Sequence, residues 1–227
     1  MDPHRKFWNE QQQTLRKALS RLADSPQAVA LFMSQHAMIH AAEMSGSGLW
    51  SFEDEVWQGL TDEAARGIPP EFEHSIVWCF WHLTRCEDIT MNLLVAGMPQ
   101  LLLAKGWFER MGVPARDTGN AMRPDEIASF SNQIDIPALC GYRMAVGRRT
   151  RLIVQALESG QFKRPVDPVR LEHIREQGAV LASEQWLIDY WGGLTVAGLL
   201  LMPPTRHNTV HLNEALRIKK KSMDRSA

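Results

Sequence analysis

Apolar residues recur every three or four positions along most of this chain, and proline, glycine and capping residues cut the stretches that carry them. That period places apolar groups along one stripe of an α-helix, whereas the two-residue alternation of a half-buried strand is almost absent. The expected class is therefore all-α. A polar first helix is expected over about residues 4–23. Ser25 and Pro26 then supply an N-cap and a proline at the first helical position of a second helix, which carries Val29, Phe32, Met33, Ala37 and His40 and stops at Gly46-Ser47-Gly48. Ser51-Phe52-Glu53-Asp54 reads as a capping box that opens a short helix. A long helix over residues 70–96 follows, with Ile76, Val77, Phe80, Leu83, Ile89 and Leu93 on its stripe and Gly97 at its end.

Residues 99–123 form a connection containing Trp107 and Phe108, and Pro124-Asp125 starts another short helix. A second long helix opens at Asp135-Ile136-Pro137 and runs to Leu157, with its arginines on the outer face. A charged helix from Asp167-Pro168 and a Ser183-capped, tryptophan-rich segment ending at Gly192-Gly193 fill the next connection. The last helix is expected to begin after Pro203-Pro204, with Thr205 as N-cap.

With 227 residues, 44% of them hydrophobic and 22% charged, the chain can fill one core, so residues 1–227 are read as a single domain. A net charge of -1 and a lone basic run, Arg217 with Lys219, Lys220 and Lys221, give no footprint for nucleic acid. The opening residues lack the apolar stretch of a secretory signal. The longest apolar run, residues 194–202, is too short for a bilayer, so no membrane role is expected. Cys79, Cys86 and Cys140 form no CxxC pair, and their odd number fits a reducing cytoplasm better than a disulfide framework.

The chemistry concentrates in Pro204-Thr-Arg-His207-Asn-Thr-Val-His211-Leu-Asn-Glu214. Histidines at i and i+4 share one helical face and can bind one divalent ion, but an open catalytic site needs three protein ligands. His82 is the best third, because it stands mid-helix among Trp78, Phe80, Trp81 and Leu83, where a buried imidazole needs a partner. Asn208 occupies the place where HExxH carries its glutamate, so the pair brings no built-in base. In the first two turns of the last helix, His207 and His211 would also feel its positive N-terminal potential.

Other residues compete for the site. His36 and His40 form a second i, i+4 pair beside Glu43. His40 could replace or supplement His82, relay protons, or stand in water at the end of its helix. Cys86, four residues after His82, is either a thiolate ligand or an inert buried thiol. Glu87, Asp88 and Glu214 can orient ligands as acceptors or lie at the surface. His40 and Glu87 are the candidates for proton handling. Trp78, Trp81, Trp186 and Trp191 belong to the core or wall a pocket beside the ion.

Ser75-Ile-Val-Trp-Cys-Phe-Trp-His82-Leu-Thr-Arg-Cys-Glu87-Asp88 resembles the second-helix signature of DinB-like proteins, and His207-Asn-Thr-Val-His211 is similar to their fourth-helix HxxxH. The resemblance spans about residues 26–220. It implies a four-helix bundle, here with extra short helices in long connections, and a His82, His207, His211 triad that holds one divalent transition metal, nickel or zinc, in a protein that is often a homodimer. Characterised relatives include bacillithiol- or mycothiol-dependent transferases and a maleylpyruvate isomerase. A metal-dependent transferase or hydrolase acting on a small molecule, with a low-molecular-weight thiol as co-substrate, is the implied function. The alternatives are a non-catalytic, stress-related metal-binding bundle and a metal-free interaction module. The His36/His40 segment and the insertions at 97–136 and 160–203 depart from the compact pattern of the family.

Overall fold

The computed structural model describes residues 2–21 and 25–226, and among them it contains helices and no strand. Helix α1 (Pro3–Leu19) is capped by the Asp2 carboxylate, which accepts from the backbone of His4 and Arg5, and it buries Trp8, Leu15 and Leu19 against α2 (Ser25–Ile39). The N-cap role expected of Ser25 and the end of the first helix at residues 22 and 23 lie outside the described residues and side chains. Helix α2 stops earlier than expected because Ala41 turns to φ -50°, ψ 136°, and the Glu53 carboxylate accepts its N–H.

Helix α3 (Ile76–Asp88) is buried at every position and continues as a π-helical stretch, Ile89–Ala96. It starts later than expected, where the Ser75 hydroxyl accepts the Trp78 N–H at 3.0 Å. Gly97, at φ +66°, ends it, and a Cβ there would stand 2.7 Å from Nη2 of Arg170. Arg170 and Arg164 cap this end by donating to the Leu94 and Val95 carbonyls, which a helix terminus leaves without partners. Helix α4 (Ile136–Gln155) has Asp135 as its N-cap and proline in its first turn.

The last helix does not begin after the prolines. Val196–Leu201 leads through a π-helical segment, Met202–His207, into α5 (Asn208–Ser226). The two prolines cannot donate, and the wide turn tolerates them. The Thr205 hydroxyl, expected to accept as an N-cap, instead donates back to the Leu200 carbonyl, and the Asn208 side chain donates to the Pro203 carbonyl. His207 and His211 therefore lie within a helical run, and the N-terminal potential expected at them has no basis.

Helix α3 packs against α4 and α5, and α2 closes the bundle by touching both of these. Two apolar clusters fill the interior, one around Ile76–Leu83 of α3 and one around its Cys86–Val95 end. A buried polar layer lies where they meet: His36, His40, Arg85, Glu87, Asp88, Arg143 and Asn208. Arg143 corrects the expectation that the α4 arginines face outward. It is fully buried, donating to Glu53, to the Asn208 amide oxygen and to the Ile39 carbonyl. An apolar-looking helix can hide such a residue when partners on three other elements accept from each of its three nitrogens.

Candidate metal centre

His82 reaches the site from the middle of α3, His207 from the end of the π-helical segment and His211 from the first turns of α5. The Nε2 atoms of His82 and His207 stand 3.0 Å apart, and the ring centroids of His211 lie 4.7 Å from those of His82 and His207. One nitrogen from each ring falls within 4.8 Å of the others, a spacing at which one ion can meet all three. The structure thus brings together the three histidines singled out in the sequence.

Their tautomers follow from what lies behind them. The Thr118 carbonyl, 2.8 Å from His82 Nδ1, can only accept, so that nitrogen carries the proton and Nε2 is bare. Glu214 accepts from His211 Nδ1 at 3.0 Å, which again leaves Nε2 bare, and its second oxygen accepts from His74 Nδ1 at 2.8 Å. His207 Nδ1 has no partner, so its proton can sit there when Nε2 turns toward an ion, or on Nε2 as a donor to His82. Burial and the neighbouring rings favour the neutral form of two of these imidazoles: His82 is pushed down to about 3, and His207 lies well below its ordinary range. Burial would raise Glu214, but its bonds from His211 and His74 outweigh this and hold it low.

Trp78 fixes the wall of the site by stacking between His74, at 3.7 Å, and His82, at 4.8 Å. Trp81 instead turns into the core against Phe130. Cys86 lies with its sulfur 3.9 Å from His82 Nε2, and burial pushes its thiol up to about 12, so it is a neutral wall residue. Beside the rings is a cavity of about 110 Å³ lined by Cys86, Asn120, Leu187, Trp191 and Met202, with Trp186 and Tyr190 also on its lining. Both of these aromatics remain exposed, at 56% and 43%.

His40 and Glu87 do not line this cavity. His40 is not a helix-end residue in water. With His36 it is fully buried, and both Nε2 atoms meet Glu87, at 3.1 and 2.9 Å. Asn208 donates a further bond to Glu87 at 3.1 Å, so this carboxylate gathers three partners and hydrogen-bonds none of the triad, although its charge acts on His207. Asp88, also considered as a ligand orienter, accepts instead from the backbone of Leu101 and Leu102 and from Tyr142. The sequence reading passed over His74, Thr118, Asn120 and the role of Asn208. Asn208, flanked by His207, was the one with a legible signal, since a polar residue on the buried side of that helix needs partners.

A family model described as the DinB superfamily matches residues 53–212. No curated protein matches the chain. Among solved structures, a conserved protein from Enterococcus faecalis shares the fold with a TM-score of 0.56 and 16% identity, over 93% of this chain and 96% of that one.

Proposed function

The chain belongs to the DinB superfamily, and from that premise we propose that it is a metalloprotein holding one divalent transition metal, nickel or zinc, through His82, His207 and His211. The observation that carries this reading is the orientation of two rings: Thr118 and Glu214 take the Nδ1 protons of His82 and His211, leaving two bare Nε2 lone pairs directed at the same small volume. Without a cation, His82 Nε2 has only a proton of the His207 ring and the weak donor of the Cys86 thiol to meet it. Carbonyl and carboxylate partners behind ligating histidines are the usual way such rings are fixed.

When bound, an ion held by three neutral imidazoles keeps its positive charge and favours the anionic form of a thiol or water brought to it. The protein's own part is to position and to exclude water. Trp186, Tyr190, Trp191 and Met202 make an aromatic and apolar mouth that accepts a small, partly apolar substrate. Asn120 offers the cavity a neutral polar group, and Cys86, held protonated, adds neither charge nor a competing nucleophile. We infer transfer to a low-molecular-weight thiol, or hydrolysis, as the reaction class.

The test is elemental analysis of the purified protein beside the His82→Ala/His211→Ala variant, followed by turnover assays across thiols and electrophilic substrates. The expected result is close to one metal per chain, lost in the variant together with turnover. A metal-free protein, or turnover indifferent to the variant, overturns the reading.

A further inference from the structure

On another flank of the bundle, a groove of about 600 Å³ runs between α1 and α5, and it shares no lining residue with the cavity beside the triad. Helix α5 and its lead-in divide their faces between the two: His207 and His211 turn to the triad, while Arg206, Thr209 and Asn213 line the groove. Four cations line it, Arg5, Arg16, Lys17 and Arg206, and no carboxylate does. Arg5 is paired with Glu55 at 2.9 Å, whereas Arg16, Lys17 and Arg206 make no ion pair among the described residues. In a chain whose net charge is -1, four cations on one concave surface make a local positive field that an anion would neutralise.

Two buried polar atoms of the same groove lack partners. Arg5 Nε is a donor without an acceptor, and Gln12 Oε1 is an acceptor without a donor, although the amide nitrogen of Gln12 is bound to the Leu201 carbonyl and the Thr205 hydroxyl. Buried polar atoms without partners are uncommon in folded proteins. Both atoms are screened from solvent as the side chains stand, so a ligand in the groove meets them once the Arg5 and Gln12 side chains turn toward it; an anionic group then satisfies the first and a ligand hydroxyl the second. The groove's volume falls in the range of small-molecule sites, although it is open on one side.

We propose that this groove binds a small phosphorylated molecule that also carries hydroxyl groups, of the class of nucleotides and sugar phosphates. The cations meet the phosphoryl oxygens, and Gln12 accepts from a hydroxyl. The segment that Gln12 holds, Leu201 to Thr205, leads directly to His207, so the ligand would bear on the backbone carrying one of the triad rings.

The test is calorimetric titration of the full chain with ADP and, separately, with inorganic pyrophosphate. Arg16→Ala/Arg206→Ala removes two exposed cations of the groove, and Lys105→Ala/Arg148→Ala removes two exposed cations elsewhere as a control for charge alone. Saturable ADP binding is expected, weakened about tenfold for each groove cation removed and unchanged in the control, since charge-assisted bonds are the strong ones. Gln12→Leu should weaken ADP and leave pyrophosphate as it was. Absence of saturable binding by either probe, or an equal loss in the control variant, overturns the proposal. Metal content is expected to stay the same in all these variants, so failure here is separate from failure of the metal site.

Discussion

Replacing His36 and His40 together by glutamine is expected to make the protein more resistant to acid while preserving its fold. The glutamine amide nitrogen reaches about where the imidazole Nε2 stands, so Glu87 keeps both donors, and only the titration is removed. Burial, the largest influence on each ring, holds His36 below its ordinary value and His40 at about 3. In the unfolded chain both titrate near 6.5. A folded value below the unfolded one means that the unfolded chain takes up protons first. The stability from these neutral rings is therefore complete above about pH 6.5 and drains away as the pH falls toward about 3. At about pH 5.5 His40 favours the unfolded chain by roughly 1 to 2 kcal/mol, and His36 adds in the same direction. For a domain of this size His40 alone amounts to a fall in Tm of about 3 to 6 °C. Thermal melts near pH 7.5 and 5.5, run at equal metal content, should show the wild type losing that much more than His36→Gln/His40→Gln. Identical losses in the two proteins would mean that the native pair is already charged, and the burial argument would fail.

Three further outcomes follow from the same geometry. Glu214→Ala removes the acceptor behind His211 and His74, so metal affinity should fall about 10- to 100-fold in competition with a chromophoric chelator; unchanged affinity would show that the ring needs no such support. Arg143→Met strands the Glu53 carboxylate, which burial already pushes upward, and should cost about 3 to 5 kcal/mol in urea unfolding; a loss within 1 kcal/mol would place Glu53 in contact with water. Cys86→Ala should leave metal content as it is, and native Cys86 should resist iodoacetamide; metal lost from the variant would make the sulfur a ligand.

The helical class and the order of the long helices were legible because they depend on period and punctuation: Asp135 with Pro137, Asp167 with Pro168 and Gly97 all act as their residue types suggest. The triad was legible too, since HxxxH fixes a shared face and His82 sat where water could not reach it. What stayed hidden were features that depend on partners distant in the chain. Nothing beside Pro203 and Pro204 announces that a π-helical segment will carry the chain through them, because the Asn208 side chain and the Thr205 hydroxyl make the compensating bonds only once the turn exists. Arg143 looked like one more solvated arginine of α4, and only Glu53, 90 positions away, makes its burial tolerable.

The two HxxxH pairs of this chain are equivalent as spacings and opposite as chemistry. In the triad, a carbonyl sits behind His82 and a carboxylate behind His211, His207 Nδ1 has no partner, and the Nε2 atoms of His82 and His207 face each other at 3.0 Å, an arrangement that a cation would resolve. At His36 and His40 the Nε2 atoms face the carboxylate itself, the Nδ1 atoms have no acceptor behind them, and the Arg143 guanidinium stands close enough to help hold His40 neutral. These two rings and Glu87 also lie close enough to share an ion, but there the carboxylate already has three hydrogen-bond partners, and a second cation beside Arg143 would add repulsion. At His82 and His211 the anchored end is Nδ1 and at His36 and His40 it is Nε2, a difference that histidine spacing alone does not reveal. Glu87 then serves the bundle by joining α2, α3 and α5 through one buried carboxylate, immediately behind the helix that presents His207.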